Sequence, residues 1–347
     1  VTPRWLDLRV GYRCNQSCRY CDQGTLRETV ADLATGEVET ALAEHPAHGV
    51  WLAGGEVSLR ADLPRLVRRA RELGFVRVGI QTNGQVLATA GAASMLRDAG
   101  LTDVALALPA ASPSLYQWLT GSPEARRRAL QAARRIRAAG LDLRITTVLT
   151  RSILGELDTL ARLAIDLGAQ AHRWILARAQ GAAGTEVLPR LARTQAPLAS
   201  ALRLGLEARI DEETAGVPLC LLPSPALAAD RLDAPPVVRA GLPEAPWPRH
   251  RPDVCRSCPL AGVCSGMESA YLARWGSSEL RPGGPPPPPA PLEELTIRLE
   301  PDTDTRELRQ RLVGLAPGGT VVLAGEHPQR AALVRDAERL GSRVREG

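Results

Sequence analysis

Residues 14 to 21 read Cys-Asn-Gln-Ser-Cys-Arg-Tyr-Cys, three cysteines at CxxxCxxC spacing. Three thiolates so close together can converge on one face of an iron–sulfur cubane. A [4Fe–4S] cubane has four irons, so three cysteines leave one iron open to a ligand that is not protein. The ordinary ferredoxin pattern supplies four cysteines and closes the cluster. A zinc knuckle is the competing chemistry. Zinc sites usually read CxxC with a distant second pair or with His, and here the nearest His is His45, with no fourth ligand nearby. A second group lies far along the chain: Cys220, then Cys255 and Cys258 as CxxC, then Cys264. These four admit three arrangements: a closed cubane, a three-cysteine cluster with Cys220 merely buried, or a structural zinc.

Side chains of this kind need a scaffold, and the chain supplies a repeating strand–helix rhythm. Residues 5–10 alternate apolar and polar positions like a strand and run into the first cysteines. Helical periodicity follows over 33–45, then an apolar strand Gly49–Ala53 leads into Gly54-Gly55-Glu56. A helix over 62–73 closes at Gly74, and strand Val76–Gln81 leads into Thr82-Asn83-Gly84. Thr89–Asp98 reads as a helix and Val104–Leu108 as strand four. A helix over Ser122–Ala139, capped by Ser122 and stopped by Gly140, precedes strand Leu141–Leu149. A helix Leu154–Leu167 and strand Ala171–Leu176 complete the series. Strands alternating with helices of this length argue a parallel sheet with crossover helices. Six such units are too few for an eight-fold barrel.

CxxxCxxC at the end of a first strand, with Tyr20 just before the last cysteine, resembles the radical S-adenosylmethionine (SAM) enzymes. The resemblance implies an α/β fold built on a partial (β/α)6, TIM-like barrel. It implies that Cys14, Cys18 and Cys21 hold a [4Fe–4S] cluster whose open iron chelates the amino and carboxylate groups of SAM. Cleavage of SAM would then give a 5′-deoxyadenosyl radical that abstracts hydrogen from a substrate. In a parallel barrel chemistry gathers at the C-terminal ends of the strands, where the marked residues fall. Two glycines let backbone approach a ligand closely, and a carboxylate can accept a hydrogen bond from an ammonium group. The resemblance assigns Gly54, Gly55 and Glu56 to the SAM amino group. It places further polar contacts at Thr82 and Asn83, although Asn-Gly is also a plain turn. Strand four departs from the pattern, reading Ala105-Leu106-Ala107-Leu108-Pro109 where relatives often carry a polar side chain. Leu115–Ser122 resembles a segment where related enzymes place a helix before a Thr-Gly turn.

Past strand six the rhythm breaks, with a small-residue loop at Gly181–Gly184 and a long helix over 189–209. CxxCx5C followed by Gly266, Tyr271 and Gly276 resembles the SPASM and twitch extensions of radical SAM enzymes. With no cysteine after Cys264, the pattern implies one auxiliary [4Fe–4S] cluster, carried by Cys220, Cys255, Cys258 and Cys264 and serving in electron transfer. Residues 281–291, rich in proline, read as an extended linker. Beyond it, strands at Leu295–Leu299, Thr320–Ala324 and Ser342–Arg345 and helices at Thr305–Leu315 and Gln329–Leu340 suggest a two-layer α/β module. It faintly resembles small sulfur-carrier proteins, but it contains no cysteine. Docking of a substrate, carrier or partner, or passive stabilisation, remains for it. The expected domains are thus 1–180, a partial barrel; 181–282, a helical connection and a small cysteine-rich auxiliary domain; 283–293, a linker; and 294–347, the C-terminal module.

Composition narrows the function classes. The 347 residues can bury a sizeable core. No apolar run approaches the roughly 20 residues of a membrane span, and the first residues show no signal-peptide pattern. Seven cysteines without an export signal suggest metal ligation in a reducing, cytoplasmic compartment. Net charge is +5, and all 43 basic residues are Arg, spread among carboxylates along helices. Such runs read as solvated helix faces. Aromatics at 3% supply few stacking platforms, so neither a nucleic acid nor a membrane is an expected partner. The resemblance implies a peptide or small-molecule substrate and a flavodoxin- or ferredoxin-type electron donor. The leading expectation is peptide modification, of the kind that matures ribosomally made peptides. Oxidation or epimerisation of a small natural-product precursor comes next, then a non-catalytic electron-transfer or redox-sensing protein. Tyr116, His172 and Tyr271 read as packing residues.

Overall fold

The computed structural model describes residues 5–223, 237–239, 249–262, 264–283, 292–299, 315–325, 327, 330–339 and 343–346; for 237–239, 292–299 and 315–319 it describes the backbone alone. Short apolar runs become the strands of one parallel sheet, in chain order. β1 (Trp5–Arg9), β2 (Gly49–Ala53), β3 (Arg77–Thr82), β4 (Asp103–Ala107), β5 (Asp142–Leu149) and β6 (Ala171–Leu176) pair successively and in parallel. The crossovers carry α1 (Leu26–Thr29), α2 (Thr35–Glu44), α3 (Leu63–Glu72), α4 (Ala92–Asp98), α5 (Pro113–Thr120), α6 (Ala125–Ala138) and α7 (Leu157–Asp166). α2, α3, α4, α6 and α7 each bury small or aliphatic residues. In the arginine-rich α6, Ala125, Ala129, Ala132, Ala133 and Ile136 are buried, the three- and four-residue spacing of one helix face. That helix starts later than expected. Ser122 does not cap it; Glu124 occupies the cap position with helical backbone and no capping hydrogen bond. A separate helix, α5, fills the preceding segment, with Pro113 in its first turn and Gly121 at its end in the left-handed conformation (φ +71).

The sheet does not end at β6. α8 (Leu191–Glu207) makes another crossover, and β7 (Asp211–Ala215) pairs in parallel with β6. A short strand, β8 (Val237–Arg239), lies beside β1, so the sheet runs β7-β6-β5-β4-β3-β2-β1-β8. The partial barrel therefore stands with one unit more than six, and its sheet continues past residue 180.

β7 escaped the sequence reading because it reads Asp-Glu-Glu-Thr-Ala. Its acids are absorbed by partners far away in sequence. Glu213 pairs with Arg144 at 3.4 Å, and Glu212 accepts a hydrogen bond from the Trp174 indole at 2.6 Å beneath α8. Trp174 in turn stacks on His172, ring centroids 3.8 Å apart, and the His172 Nε2 lies 2.9 Å from the Thr147 hydroxyl. Burial pushes the Glu212 carboxyl up to about 8 and the His172 imidazole down to about 3, so both side chains are neutral in the folded layer near neutral pH. Glu212, raised from 4.5, costs stability progressively as pH rises from about 4.5 to 8, because the unfolded chain ionises first. His172, lowered from 6.5, costs stability as pH falls below about 6.5. Glu212→Gln is thus expected to flatten the loss of thermal stability that wild type shows between roughly pH 5 and 8, a difference of a few kcal/mol by the upper end. Melting curves across that range check it; parallel wild-type and variant curves would contradict it.

At the N-terminal ends of the strands the barrel is closed by side chains. Trp5 stacks on Trp51 at 5.2 Å, with Gly49 against the Trp5 ring and Gly79 against that of Trp51. Arg77 binds both Asp103 and Asp142. With that end packed, the opposite end is left for chemistry.

Beyond the barrel, β9 (Arg249–His250) and β10 (Met267–Glu268) form a small antiparallel pair followed by α9 (Ser269–Trp275). Near the C-terminus β11 (Leu292–Leu299), β12 (Leu315–Gly325) and β13 (Arg343–Glu346) make a parallel three-stranded sheet, with α10 (Arg330–Arg339) joining the last two. Val321, Leu323, Leu333 and Ala337 are buried between its layers. The helix expected over Thr305–Leu315 lies outside the described residues except for Leu315, which begins β12. The proline run of 284–291 also lies outside them.

Candidate functional site

The loop that leaves the C-terminal end of β1 carries Cys14, Cys18 and Cys21, and three separate clamps hold it. The first is Asp32, whose Oδ1 accepts from the backbone N–H of Tyr12 at 2.9 Å and of Arg13 at 3.4 Å. Gly11 makes room for that carboxylate, since a Cβ there would lie 2.0 Å from Asp32 Oδ1. The second is the end of α5. Arg19 N–H donates to the Leu119 carbonyl at 2.9 Å, and its guanidinium donates to the Trp118 carbonyl and lies 4.8 Å above the Trp118 ring. The third is the loop after β6, where Ala182 N–H donates to the Cys21 carbonyl at 3.0 Å and Arg178 pairs with Asp22 at 3.1 Å. Gly181 (φ +65) permits this approach, because a Cβ would come within 2.5 Å of the Asp22 carbonyl oxygen. Between the clamps Asn15, Ser17 and Arg19 face solvent while Gln16 is buried, and the three cysteines are half-buried.

Gly54, Gly55 and Glu56 meet this loop directly. Gly55 N–H donates to the Gly11 carbonyl at 2.9 Å and Glu56 N–H to the Arg13 carbonyl at 2.7 Å. The two glycines are needed for that backbone contact. A Cβ on Gly54 (φ +141) would sit 1.9 Å from the Gly11 carbonyl oxygen, and one on Gly55 2.2 Å from that of Arg13. Close approach of backbone is the reason expected, but the partner is the cysteine loop itself. Glu56 is 3% exposed and fully engaged. One oxygen accepts from Ser58 N–H at 3.1 Å, the Ser58 hydroxyl and the Thr82 hydroxyl at 2.6 Å; the other accepts from Asn83 N–H at 2.6 Å. Burial pushes its carboxyl up, and these donors oppose that rise. Asn83 then reaches back to the loop, donating to Asn15 Oδ1 at 2.8 Å with Cys14 Sγ 3.9 Å away. The ends of β1, β2 and β3 form one connected polar mouth. β4 adds nothing polar at its C-terminal end, as Ala105 and Ala107 foreshadowed.

The thiols are tuned by burial and by one another. Cys18 is pushed up to about 12 by desolvation, with a Tyr20 hydrogen bond opposing and Cys21 and Cys14 adding to the rise. Cys14 and Cys21 are raised too, again chiefly by desolvation, while the nearby Arg27 cation favours the thiolate of all three. Three thiols gathered on one loop at the mouth suit an iron cluster, which takes them as thiolates. The residues fit the group.

The second cysteine set gathers as well. Cys220, Cys255, Cys258 and Cys264 line one pocket, walled by Pro218, Leu260, Met267 and Leu280. Cys220 is buried and the other three are half-buried. Desolvation raises the Cys220 thiol, and the other three cysteines add to the rise. Arg251 stands at the rim, donating to the Cys264 carbonyl at 2.6 Å. Among the described residues no three such side chains are drawn onto a single ion position. Four thiols around a shared apolar cavity suit a multinuclear cluster.

Sequence reasoning missed Asp32, the Arg19–Trp118 contact, the clamp from 178–182 and Glu268, which accepts from Ala179 N–H at 3.3 Å. All are contacts over 19 residues or more, and the Arg178–Asp22 pair spans 156; only Gly11 and Gly181 offered a local sign. Tyr116 and Tyr271 are buried packing residues as read, Tyr271 donating to Glu279.

A parallel partial barrel with a three-cysteine loop at its mouth defines a class, and the comparisons agree with it. Residues 8–164 match the radical SAM superfamily model, so that part of the chain is similar to a radical SAM domain. It is 34% identical over 172 residues to PqqA peptide cyclase of Methylobacterium nodulans, covering 48% of this chain and 45% of that protein. It is 30% identical over 168 residues to a probable GTP 3′,8-cyclase of Sulfurisphaera tokodaii, covering 47% and 53%. In fold it resembles Streptococcus suis SuiB bound to its precursor peptide SuiA, with a TM-score of 0.52 at 18% identity over 61% of this chain and 48% of that one. The chain spans about half the length of the curated relatives it matches. Radical SAM domains imply a [4Fe–4S] cluster and SAM as cofactors. Among the described residues no helix is long and apolar enough to cross a membrane.

Proposed function

We propose that this chain is a radical SAM enzyme that modifies a peptide in the cytoplasm, with an auxiliary [4Fe–4S] cluster serving electron transfer. The observation that carries the catalytic part is the mouth that joins the three-cysteine loop to Glu56, Thr82 and Asn83. Cys14, Cys18 and Cys21 would hold the catalytic cluster. When bound, that cluster and SAM supply a 5′-deoxyadenosyl radical for hydrogen abstraction.

The chain's own residues position the reaction. Backbone at Gly54 and Gly55 and the side chains of Glu56, Thr82 and Asn83 offer oxygens and donors to the amino and carboxylate ends of SAM. In this arrangement Glu56 holds β3 to β2, so it shapes the mouth as much as it contacts ligand. Cys220, Cys255, Cys258 and Cys264 would close the auxiliary cluster of the cysteine-rich region expected within 181–282. Electrons would come from a flavodoxin- or ferredoxin-type donor. The module from 294 onward is available for docking peptide, carrier or partner.

The peptide reading draws on the names of two comparisons, a peptide cyclase and a structure with bound precursor peptide. The similarity to a GTP cyclase keeps the small-molecule alternative in view. Reduced, reconstituted protein with SAM and short peptides encoded beside its gene tests the choice. Deuterium transferred from a labelled peptide into 5′-deoxyadenosine, with loss of two hydrogens from the peptide, is expected. SAM cleavage that no peptide stimulates or labels would move the reading to a small molecule. For the second site, Cys258→Ala is expected to cost about four irons per chain while leaving the SAM-responsive EPR signal in place. An unchanged iron content with stoichiometric zinc would overturn the auxiliary cluster.

A further inference from the structure

The cysteine loop contains one buried polar side chain, Gln16, whose role its protein neighbours do not explain. Gln16 lies midway between Cys14 and Cys18 and is 7% exposed, yet its Nε2 has no hydrogen-bond partner. A buried amide NH2 left unpaired costs free energy, and such groups need a reason to persist. The other end of the same amide supplies it. Gln16 Oε1 sits 3.6 Å from Cys18 Sγ and accepts from that thiol.

Iron binding removes this arrangement, because a ligating cysteine is a thiolate with no proton to donate. Gln16 Oε1 would then face sulfur lone pairs, oxygen against an acceptor, while the donor nitrogen remained unpaired. A half-turn of the amide about its last torsion resolves both defects at once. Oxygen and nitrogen occupy nearly the same positions after the turn, so no backbone movement is required, and the Nε2 then points at Cys18 Sγ.

The geometry points to Gln16 as a positioning residue of the three-cysteine cluster, its side-chain amide donating an N–H···S hydrogen bond to Cys18 and raising the cluster's reduction potential. The inference rests on the cluster reading above and deepens it. Hydrogen bonds to cluster sulfurs are among the factors that set such potentials. A donor beside a ligating sulfur stabilises the more negative, reduced state. Asn83 acts at the neighbouring sulfur in a weaker way, its Nδ2 3.9 Å from Cys14 Sγ but already donating to Asn15. Gln16 has no such competing acceptor.

The test is a reductive titration of the reconstituted full chain, followed through the SAM-responsive EPR signal, in wild type and Gln16→Met. Methionine keeps the length and removes the donor. The variant cluster is expected to be at least tenfold harder to reduce, about 59 mV lower for a one-electron couple, with the same iron content. An assembled variant cluster with the wild-type potential would overturn the inference and leave the cluster reading intact. Wild type that assembles no SAM-responsive cluster would sink that reading first. If Gln16→Met rejects iron, wild type labelled with amide-15N glutamine decides the matter: a nitrogen coupling at the reduced cluster supports the hydrogen bond, and its absence overturns it.

Discussion

Replacing Cys14, Cys18 and Cys21 together by Ala is expected to abolish formation of 5′-deoxyadenosine from SAM and to lower iron from about eight to about four per chain. The loss is complete because the loop supplies all three cysteines at the mouth. The residues around Cys14 are amides, not ligands: Asn15 and Asn83 bind each other, and Gln16 faces Cys18. The surviving four irons belong to the cavity of Cys220, Cys255, Cys258 and Cys264, where four thiols face one another. The clamps on the loop's backbone do not use the cysteine side chains. The variant should therefore fold, with the far-ultraviolet spectrum of wild type. Iron falling to zero instead would mean that the second set holds none.

The second large effect is expected from Gly55→Ala. Its Cβ would lie 2.2 Å from the Arg13 carbonyl oxygen and 2.4 Å from that of Tyr12, both backbone atoms that cannot turn aside as a flexible side chain would. Separating the strands by the ångström or so needed breaks Gly55 N–H to Gly11 and Glu56 N–H to Arg13. Glu56 then moves, and with it the hydrogen bonds to Thr82 and Asn83. The variant should lose several kcal/mol of stability, beyond the ordinary range for a single substitution, or keep the fold with a loop that no longer retains iron. Gly36→Ala, at a position with nothing within 4 Å, is the matched control and should behave as wild type. Thermal melting and iron analysis on the pair read both effects. A Gly55→Ala protein with normal iron and melting would show that the mouth is softer than these contacts imply.

Much of this site was written locally, and the remainder was not. The apolar run Gly49–Ala53 became β2 at the residues expected, because five consecutive positions are buried on both faces. The cysteine spacing and the Gly-Gly-Glu at the next strand end located the mouth without any coordinates. β7 was illegible for a physical reason. Its three acids look solvated until Trp174, Arg144 and the underside of α8 are placed around them, and Trp174 and Arg144 are far away in sequence. The helix start at Ser122 misled because a good capping residue was present, while the chain before it folded as α5 and used Gly121 to stop. The glycines of the mouth were read for the right property and the wrong partner. Only the fold shows that the cysteine loop passes against them. Asp32 carries no motif; it becomes a site residue because the loop returns over it.

The most direct measurement of the central claim is EPR of the anaerobically reconstituted, reduced wild-type chain with and without SAM, alongside a count of 5′-deoxyadenosine. The account predicts two overlapping reduced [4Fe–4S] signals, of which SAM alters only the one lost with Cys14, Cys18 and Cys21, and it predicts 5′-deoxyadenosine on reduction. A fully loaded protein whose spectrum SAM leaves unchanged, and which releases no 5′-deoxyadenosine, would contradict it. The chain would then hold its clusters as a carrier or sensor of electrons, and the mouth at Glu56 would be a structural joint.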